Sequence, residues 1–507
     1  VSTKQMVKKK RIFLTGATGN MGSHTLRELL KRNDRFIIRT LVLDTAEEKR
    51  KITGYKSSPD LEVVYGDLRD SNMIEQCIRN VDIVLHIGAL VSPMADQHPK
   101  ACMDINYGST VNIINAIKKQ DNKDAIGLVY IGTVGETGCR MPPIHWGRCG
   151  DPIKPSIFDY YSCSKVASER AVIESGLNRW VSLRQTGLLP INKAGLKDPI
   201  VFHQNLNNVL EWVTAKDSGT LMANVCEDWV PESFWKRCYN IGGGEPWRLT
   251  SHELMNKTLK ALGLTIQEVF DPRDFALFNF HGQWYTDSDE LDDILHFRSL
   301  LPEEYFKKAN QTLNVLRAIP LINLLLPSGK QLKKTYDRIK YHERGPEWMI
   351  QQGKDDWIKA FFGSLGKKAR IKSWEEGYAL IQPSKTPTFL NHGYDESKSI
   401  YDLSLLDMKE AAAFRGGKCL SPDMRIGDLY TPLKWQCHQS HTFDATPYLI
   451  IKAGHWCPVC ESDSWNYPDI AKHSPFFAQV WNPLHDQSEQ FKFKKDLQQI
   501  QIPPDER

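Results

Sequence analysis

The chain lacks any uninterrupted apolar run of about 18 residues, the length at which a membrane-spanning helix becomes the natural reading. Its nearest approach, Leu313–Leu326, is broken by Arg317 and Pro320. It also lacks an excess of charge of one sign: 65 basic against 61 acidic residues leave a net charge of +4. That balance excludes a strongly basic nucleic-acid coat or an acidic tail as the main theme. The amino terminus is basic at Lys8, Lys9 and Lys10, but Arg11–Thr15 runs straight into a glycine loop. A secretory signal would need a longer apolar segment and a small-residue cleavage site, so a cytoplasmic protein is expected. Cysteine is sparse for a disulfide framework, with eleven in 507 residues, an odd number. Seven (Cys77, Cys102, Cys139, Cys149, Cys163, Cys226 and Cys238) lie at irregular spacings and read as thiols in a reducing compartment. What is present is an ordinary globular composition, 41% hydrophobic and 25% charged, long enough for roughly two to four domains.

The first two hundred residues alternate strand and helix. Strands are predicted at Arg11–Thr15, Phe36–Leu43, Leu61–Tyr65, Val81–Ile87, Ala125–Ile131 and Trp180–Leu183, with helices at Met21–Lys31, about Asp104 to Lys119, and Phe158–Glu174. Near-continuous apolar strands separated by helices predict a parallel sheet covered on both faces. Right-handed crossovers then give a doubly wound α/β fold of the Rossmann type over residues 1–195.

The first loop is Thr15-Gly16-Ala17-Thr18-Gly19-Asn20-Met21-Gly22. Glycine at 16, 19 and 22 permits a tight turn after the strand, a close approach to a pyrophosphate and close packing of the following helix. The helix amino terminus then supplies unsatisfied amides and the positive end of its dipole. Asp44, after the second strand, could accept from a ribose diol and repel a 2′-phosphate, favouring NAD over NADP, although Lys49 and Arg50 stand close. Asp67, in Gly66-Asp67-Leu68, is placed to meet adenine or simply to cap a helix.

Thr133 closes the fifth strand, and Tyr161 and Lys165 are four apart on the following helix, so they share a face. Such a pair alone is a weak signal. Its order after a glycine loop and a strand-end hydroxyl gives it weight. Hydride transfer at a carbon bearing oxygen needs a matched proton transfer at that oxygen. A phenol of pKa about 10 does this poorly near neutrality unless neighbouring positive charge favours phenolate. Lys165 is the expected source of that charge, and Thr133 the group that holds the substrate oxygen.

Residues 10 to about 300 resemble the extended short-chain dehydrogenase/reductase family, also called the NAD-dependent epimerase/dehydratase family. The resemblance is carried by Thr15–Gly22, Gly66-Asp67-Leu68, His86-Ile87-Gly88-Ala89, the stretch Asn106–Asn112, Thr133, Tyr161–Lys165 and Tyr239–Gly244. It implies Tyr161 as acid/base, Lys165 tuning it and also reaching the nicotinamide ribose, and Thr133 polarising the substrate. It further implies that the loop residues Gly16, Thr18, Gly19, Asn20, Met21 and Gly22 hold the pyrophosphate, that Asp67 and Leu68 meet adenine, that Ile87, Gly88 and Ala89 line the cofactor cleft, and that Asn106 supports the strand end. Two departures bear on substrate. The segment Leu183–Pro190 lacks the asparagine that sugar-nucleotide epimerases carry near Gly187. Thr133 is followed by Val134-Gly135 where dehydratases generally have Asp-Glu.

Residues 196–365 are mostly helical in pattern and are expected to form a substrate lobe, with some strands returning to the first domain. Phe202, Trp212, Trp229, Phe234, Trp284 and Tyr285 supply aromatic surface there, more often core than pocket. Gly282–Asp287 is a candidate substrate loop, and Leu313–Leu326 either covers an apolar substrate or is an ordinary buried helix. A linker is expected at 366–400. Beyond it, in the 401–507 module, Cys437-x3-His441 and Cys457-x2-Cys460 fit one closed tetrahedral zinc, with Cys419, His438 or His455 as substitute ligands. A redox pair at Cys457/Cys460 is the competing reading. The stretch Gly416–Ser421 with these pairs resembles a treble-clef zinc ribbon. Nucleic acid is not the expected partner, because Arg415, Lys418, Arg425, Lys434 and Lys452 are diluted by Asp423, Asp428 and Asp444. A structural zinc, a small-molecule substrate and a homo-oligomer are expected, and the aromatic tail after Trp465 is expected to pack on a neighbour.

The reading that results is an NAD-dependent (or NADP-dependent) oxidoreductase interconverting a secondary alcohol and a ketone on a small organic molecule, apolar ones included. The first alternative is a nucleotide-sugar epimerase or dehydratase. The second is a dinucleotide-sensing protein whose zinc ribbon contacts nucleic acid.

Overall fold

The computed structural model describes residues 9–190, 197–317 and 328–495. Seven strands build its main sheet: β1 (Lys10–Thr15), β2 (Phe36–Val42), β3 (Leu61–Tyr65), β4 (Ile83–His86), β5 (Gly127–Thr133), β6 (Trp180–Gln185) and β7 (Arg237–Ile241). All pair in parallel, in the order β7-β6-β5-β4-β1-β2-β3. The order reverses between β1 and β4, and that is where a doubly wound sheet opens a crevice at the carboxyl ends of its strands. The connections carry α1 (Asn20–Leu30), α2 (Ala46–Ile52), α3 (Ser71–Ile78), α4 (Pro99–Lys118), α5 (Tyr160–Ile173) and α6 (Ala215–Asn224). The sequence expectations place every one of the first six strands within two residues; the short α2 and α3 carry too few apolar positions to stand out by periodicity.

The strands read as continuous apolar runs because both faces are buried. Within β1, Phe13 joins one core while Ile12 and Leu14 join the other, and all three are fully buried. The core containing Phe13 does not end with the first domain. It continues through Leu128, Tyr130 and Trp180 into Leu403, Trp435, Tyr448 and Leu449 of the carboxyl-terminal module. Trp180 meets Tyr448 edge to face at 5.6 Å, and the Tyr448 hydroxyl accepts from the backbone N–H of Cys238 on β7 at 2.7 Å. That module contains a three-stranded antiparallel sheet, Lys418–Cys419, Leu433–Gln436 and Thr442–Ala445.

Residues 370–399 form no helix or strand, and the segment is fastened to residues 145–151. The Ser384 carbonyl accepts from Trp146 Nε1 at 3.0 Å and lies 2.8 Å from His145 Nε2, while His392 Nε2 lies 3.0 Å from the buried Asp151. The aromatic tail packs as expected: Tyr467 Oη donates to the Pro155 carbonyl at 2.5 Å, just ahead of α5. Of the aromatics weighed between core and pocket, Phe202, Trp212, Phe234, Trp284 and Tyr285 are buried and Trp229 is exposed. Gly282–Asp287 is not an open substrate loop. Trp284–Tyr285 pairs with Trp146–Gly147, and the buried Asp287 carboxylate accepts from the N–H of Cys149 and from Asn240. The greater part of Leu313–Leu326 lies outside the described residues. Among the described residues, no helix is long and apolar enough to cross a membrane.

Candidate active site and a candidate metal centre

The crevice between β1 and β4 is built by glycine. Gly16 has φ +72°, and a Cβ there would lie 2.8 Å from both Cα and N of Gly88; only glycine lets the two strand ends approach so closely. A Cβ on Gly22 would lie 2.0 Å from the Gly16 carbonyl oxygen, which is the close helix–loop contact expected of the third glycine. Thr15 Oγ1 ties the strand ends together, accepting from Gly88 N–H at 2.9 Å and meeting His86 Nδ1 at 3.1 Å. α1 begins at Gly19 with no side-chain cap and no acidic residue in its first turn, so its leading amides and dipole are left for an anion. Asn20 Nδ2 donates to the Pro190 carbonyl at 3.1 Å, joining the loop to the far side of the cleft.

Other expected contacts are placed less simply. Asp44 is exposed and paired with Lys49. It is Glu48, on α2, that reaches the glycine loop by accepting from Thr18 Oγ1. Asp67 is held by Arg69 through Nε at 3.0 Å and Nη2 at 2.6 Å, and this pairing holds its carboxyl below the usual range. Leu68, Ile87 and Ala89 are half-buried beside the crevice. Asn106 does what a strand-end support should: it accepts from Leu90 N–H at 2.7 Å and donates to the Leu90 carbonyl at 2.9 Å, fixing the chain after β4.

At the end of β5, Thr133 is buried, and its hydroxyl acts on the Tyr161 phenol to favour phenolate. α5 is capped by Asp159, which accepts from Ser162 N–H at 2.8 Å, and it carries Tyr161, Lys165 and Glu169 at successive fourth positions on one face. Lys165 is buried with its ammonium 4.5 Å from the centre of the Tyr130 ring. Burial lowers its pKa to about 8, against the opposing pull of Glu136, Cys102 and Glu169. The Tyr161 phenol is pushed above its ordinary value by burial and by Cys102, Asp159 and Glu136, with the Thr133 hydrogen bond opposing. Lys165 is thus directed at Tyr130, and the phenol is raised where a lowering by this ammonium was expected.

Several residues of this region escaped sequence reasoning. Glu136 accepts from Thr133 N–H at 2.9 Å, and Arg184 pairs with Glu136 at 3.1 Å and with Glu169. Asp96 accepts from the N–H of Tyr161 at 3.3 Å, and its carboxyl is pushed up to about 7 by burial and by Asp159. Beside it lies a cleft of about 40 Å³ whose lining joins Asp96, Asp159 and Arg344 to the apolar Phe158, Phe280 and Trp357. The i+4 spacing from Lys165 to Glu169 was a usable signal. Asp96 and Arg184 had none.

In the carboxyl-terminal module, Cys437, His441, Cys457 and Cys460 converge. His441 Nδ1 lies 3.5, 3.6 and 3.4 Å from the sulfurs of Cys437, Cys457 and Cys460, and the sulfurs of Cys437 and Cys460 are 3.8 Å apart. An ion about 2.3 Å from sulfur and about 2.0–2.1 Å from nitrogen spaces such atoms about 3.5–3.8 Å apart in a tetrahedron, so the donor set fits zinc. The substitute ligands lie elsewhere. Cys419 sits on a strand opposite Trp435, His438 stacks on His473 beside Asp469, and His455 is taken up by Glu169 at 3.1 Å. All eleven cysteines are free thiols.

The sheet order, the glycine crevice and the strand-end Thr/Tyr/Lys set are arranged as the resemblance to the extended short-chain dehydrogenase/reductase family implies. Residues 13–222 match the model of the 3-beta hydroxysteroid dehydrogenase/isomerase family. A UDP-N-acetylglucosamine 4,6-dehydratase (inverting) of Campylobacter jejuni is 27% identical over 126 residues, 24% of this chain and 37% of that one. The mouse 3 beta-hydroxysteroid dehydrogenase type 7 is 25% identical over 166 residues, 32% of this chain and 44% of that one. The chain thus spans less than half the length of these two relatives. The glycan biosynthesis protein Agl12 of Haloferax volcanii is 22% identical over 280 residues, 50% of this chain and 82% of that one. The fold is shared with DesIV of Streptomyces venezuelae, a dTDP-glucose 4,6-dehydratase solved with NAD and TYD bound, at TM-score 0.50 and 20% identity over 61% of this chain and 98% of that one.

Proposed function

We propose that the chain catalyses NAD-dependent hydride transfer at a secondary alcohol carbon, with Tyr161 as the acid/base. The observation that carries this is the convergence, on the carboxyl side of one sheet, of the Gly16/Gly88 crevice with Thr133, Tyr161 and Lys165. A bound oxidised nicotinamide supplies the hydride acceptor. Gly16, Gly19 and Gly22 with the first amides of α1 hold its pyrophosphate. Thr133 Oγ1 orients the substrate oxygen, and the Tyr161 oxygen exchanges a proton with it. The raised phenol rests protonated, ready to donate to a ketone; in the oxidative direction it needs added positive charge nearby before it can accept. Lys165, buried yet still cationic at neutral pH, contributes that charge.

For substrate, the named relatives support a nucleotide sugar, oxidised transiently and then epimerised or dehydrated with the hydride returned. A net oxidoreductase acting on a small alcohol is the second reading. It is favoured by the family-model match and by Val134-Gly135 at the place where dehydratases generally carry Asp-Glu. A panel of nucleotide sugars, alcohols and ketones separates them. Isomerised or dehydrated sugar with no lasting change in reduced-nicotinamide absorbance supports the first, and stoichiometric reduction of NAD supports the second. We further propose that Cys437, His441, Cys457 and Cys460 hold one structural zinc, all four positions being filled by protein.

A further inference from the structure

We propose that the carboxyl-terminal module completes the active site, with His455 acting as a positioning residue for the catalytic strand end. The inference rests on reading Thr133, Tyr161 and Lys165 as the catalytic set. It concerns residues far outside the region that matches the family model. Behind Thr133 lies a fully buried cluster of ionisable groups, in which burial and Glu169 push the Glu136 carboxyl up while Arg184 and the Thr133 N–H pull it down. Glu136 Oε1 accepts from the Thr133 N–H at 2.9 Å, and Glu136 Oε2 pairs with Arg184 Nε at 3.1 Å. Arg184 Nη2 donates to Glu169 Oε1 at 2.5 Å, and Glu169 Oε2 accepts from Ser182 Oγ at 2.6 Å. Glu169 shares the α5 face with Tyr161 and Lys165, and both Glu136 and Glu169 help keep Lys165 charged.

Two groups from the carboxyl-terminal module close this cluster. His455 Nε2 lies 3.1 Å from Glu169 Oε1, and the Ala453 carbonyl accepts from Arg184 Nη2 at 2.7 Å. The adjoining chain is held in turn, since Arg170 Nη2 donates to the Trp456 carbonyl at 2.7 Å and to Glu461 at 2.8 Å. There is no slack. A Cβ on Gly132 would stand 2.8 Å from Glu136 Oε1 and 3.4 Å from Glu169 Oε2, so the cluster fills the space directly behind the strand end. A buried carboxylate needs its hydrogen bonds and counter-charge to hold one position. With His455 removed, Glu169 loses a partner. Arg184 is then drawn wholly to what remains, and the Glu136 carboxylate that anchors Thr133 is no longer fixed.

The amides of Thr133 and Gly135 report on this directly. One donates to Glu136 and the other to Thr133 Oγ1 at 3.2 Å, and neither bond belongs to the sheet ladder. Hydrogen–deuterium exchange of the full-length protein should therefore compare wild type, His455→Leu and His455→Gln, with NADH affinity followed by fluorescence. The expected result is exchange at Thr133–Gly135 faster by about tenfold in H455L. The β1–β3 amides and NADH affinity should be unchanged, and protection should return in H455Q, whose side-chain amide can donate to Glu169. Unchanged exchange at Thr133–Gly135 in H455L, equal loosening across the whole sheet, or failure of H455Q to restore protection would each overturn the proposal. If H455L does not accumulate folded, His455→Asn, polar but too short to reach Glu169, carries the same comparison. None of these readouts needs turnover, so an absence of activity on every substrate tried would count against the proposed function and leave this test standing.

Discussion

Tyr161 exchanges a proton through its phenol while its backbone N–H is held by Asp96, and the two groups give two separable tests. Tyr161→Phe keeps the ring and the packing but removes the proton carrier. Turnover is expected to fall by about 10²–10⁴-fold, the usual worth of a positioned acid/base, with NADH affinity nearly unchanged by fluorescence titration. Asp96 tests burial. Its carboxyl is raised from 3.8 to about 7 by burial and by Asp159, against Ser92, the Tyr161 N–H and Arg344. Between about pH 4 and pH 7 the unfolded chain releases this proton while the folded one keeps it, so this group's contribution to stability declines as pH rises across that window and is level above it. Asp96→Asn still accepts from Tyr161 N–H and should flatten that decline. Urea denaturation of both proteins at a series of pH values measures the difference. At this scale the sequence was informative where chemistry follows local spacing, as with Gly16, Gly22, Tyr161 and Lys165. It was silent on Asp96 and Arg184 and offered His455 only as a substitute zinc ligand, because their partners lie 65, 15 and 286 positions away in the chain. Asp44 shows the converse, since a strand-end acid in the expected place is claimed by Lys49.

The strands and crossovers were legible because both faces of the sheet are buried, which leaves an apolar signature over four to seven residues that tolerates small boundary errors. The glycine loop was legible for a different reason: its side-chain-free positions are enforced by contact with Gly88 and by the turn itself. Gly16→Ala therefore tests the element. A Cβ at φ +72° would stand 2.8 Å from Gly88, so the strand ends must part, and dinucleotide affinity should drop at least about tenfold while the far-ultraviolet spectrum is retained. The segment 370–399 was legible only as punctuation. Its order comes from single hydrogen bonds to Trp146, Arg148 and Asn207, which leave no periodic trace. Gly282–Asp287 misled because a turn-like composition there belongs to a two-residue strand pairing with Trp146–Gly147.

On the scale of the whole molecule, one apolar core runs from β1 to the carboxyl-terminal module, and this sets how the protein should unfold. Leu449 is fully buried in that shared core; Leu449→Ala should cost about 2–5 kcal/mol and lower the midpoint of a single transition that melts sheet and module together. Metal analysis is expected to find one zinc per chain, and Cys457→Ser or a strong chelator should remove it and destabilise the same transition, because a closed site contributes binding free energy to folding. A stable wild-type protein without zinc would reject that assignment. The central claim is that a phenol behind the Gly16/Gly88 crevice moves the proton that accompanies hydride transfer, and rapid-mixing absorbance of the NAD-loaded wild type and Y161F with the substrate found in the panel tests it most directly. The account expects reduced nicotinamide to form, transiently or lastingly, in the wild type and to be slowed by at least about a hundredfold in Y161F; formation at the wild-type rate in Y161F would contradict it.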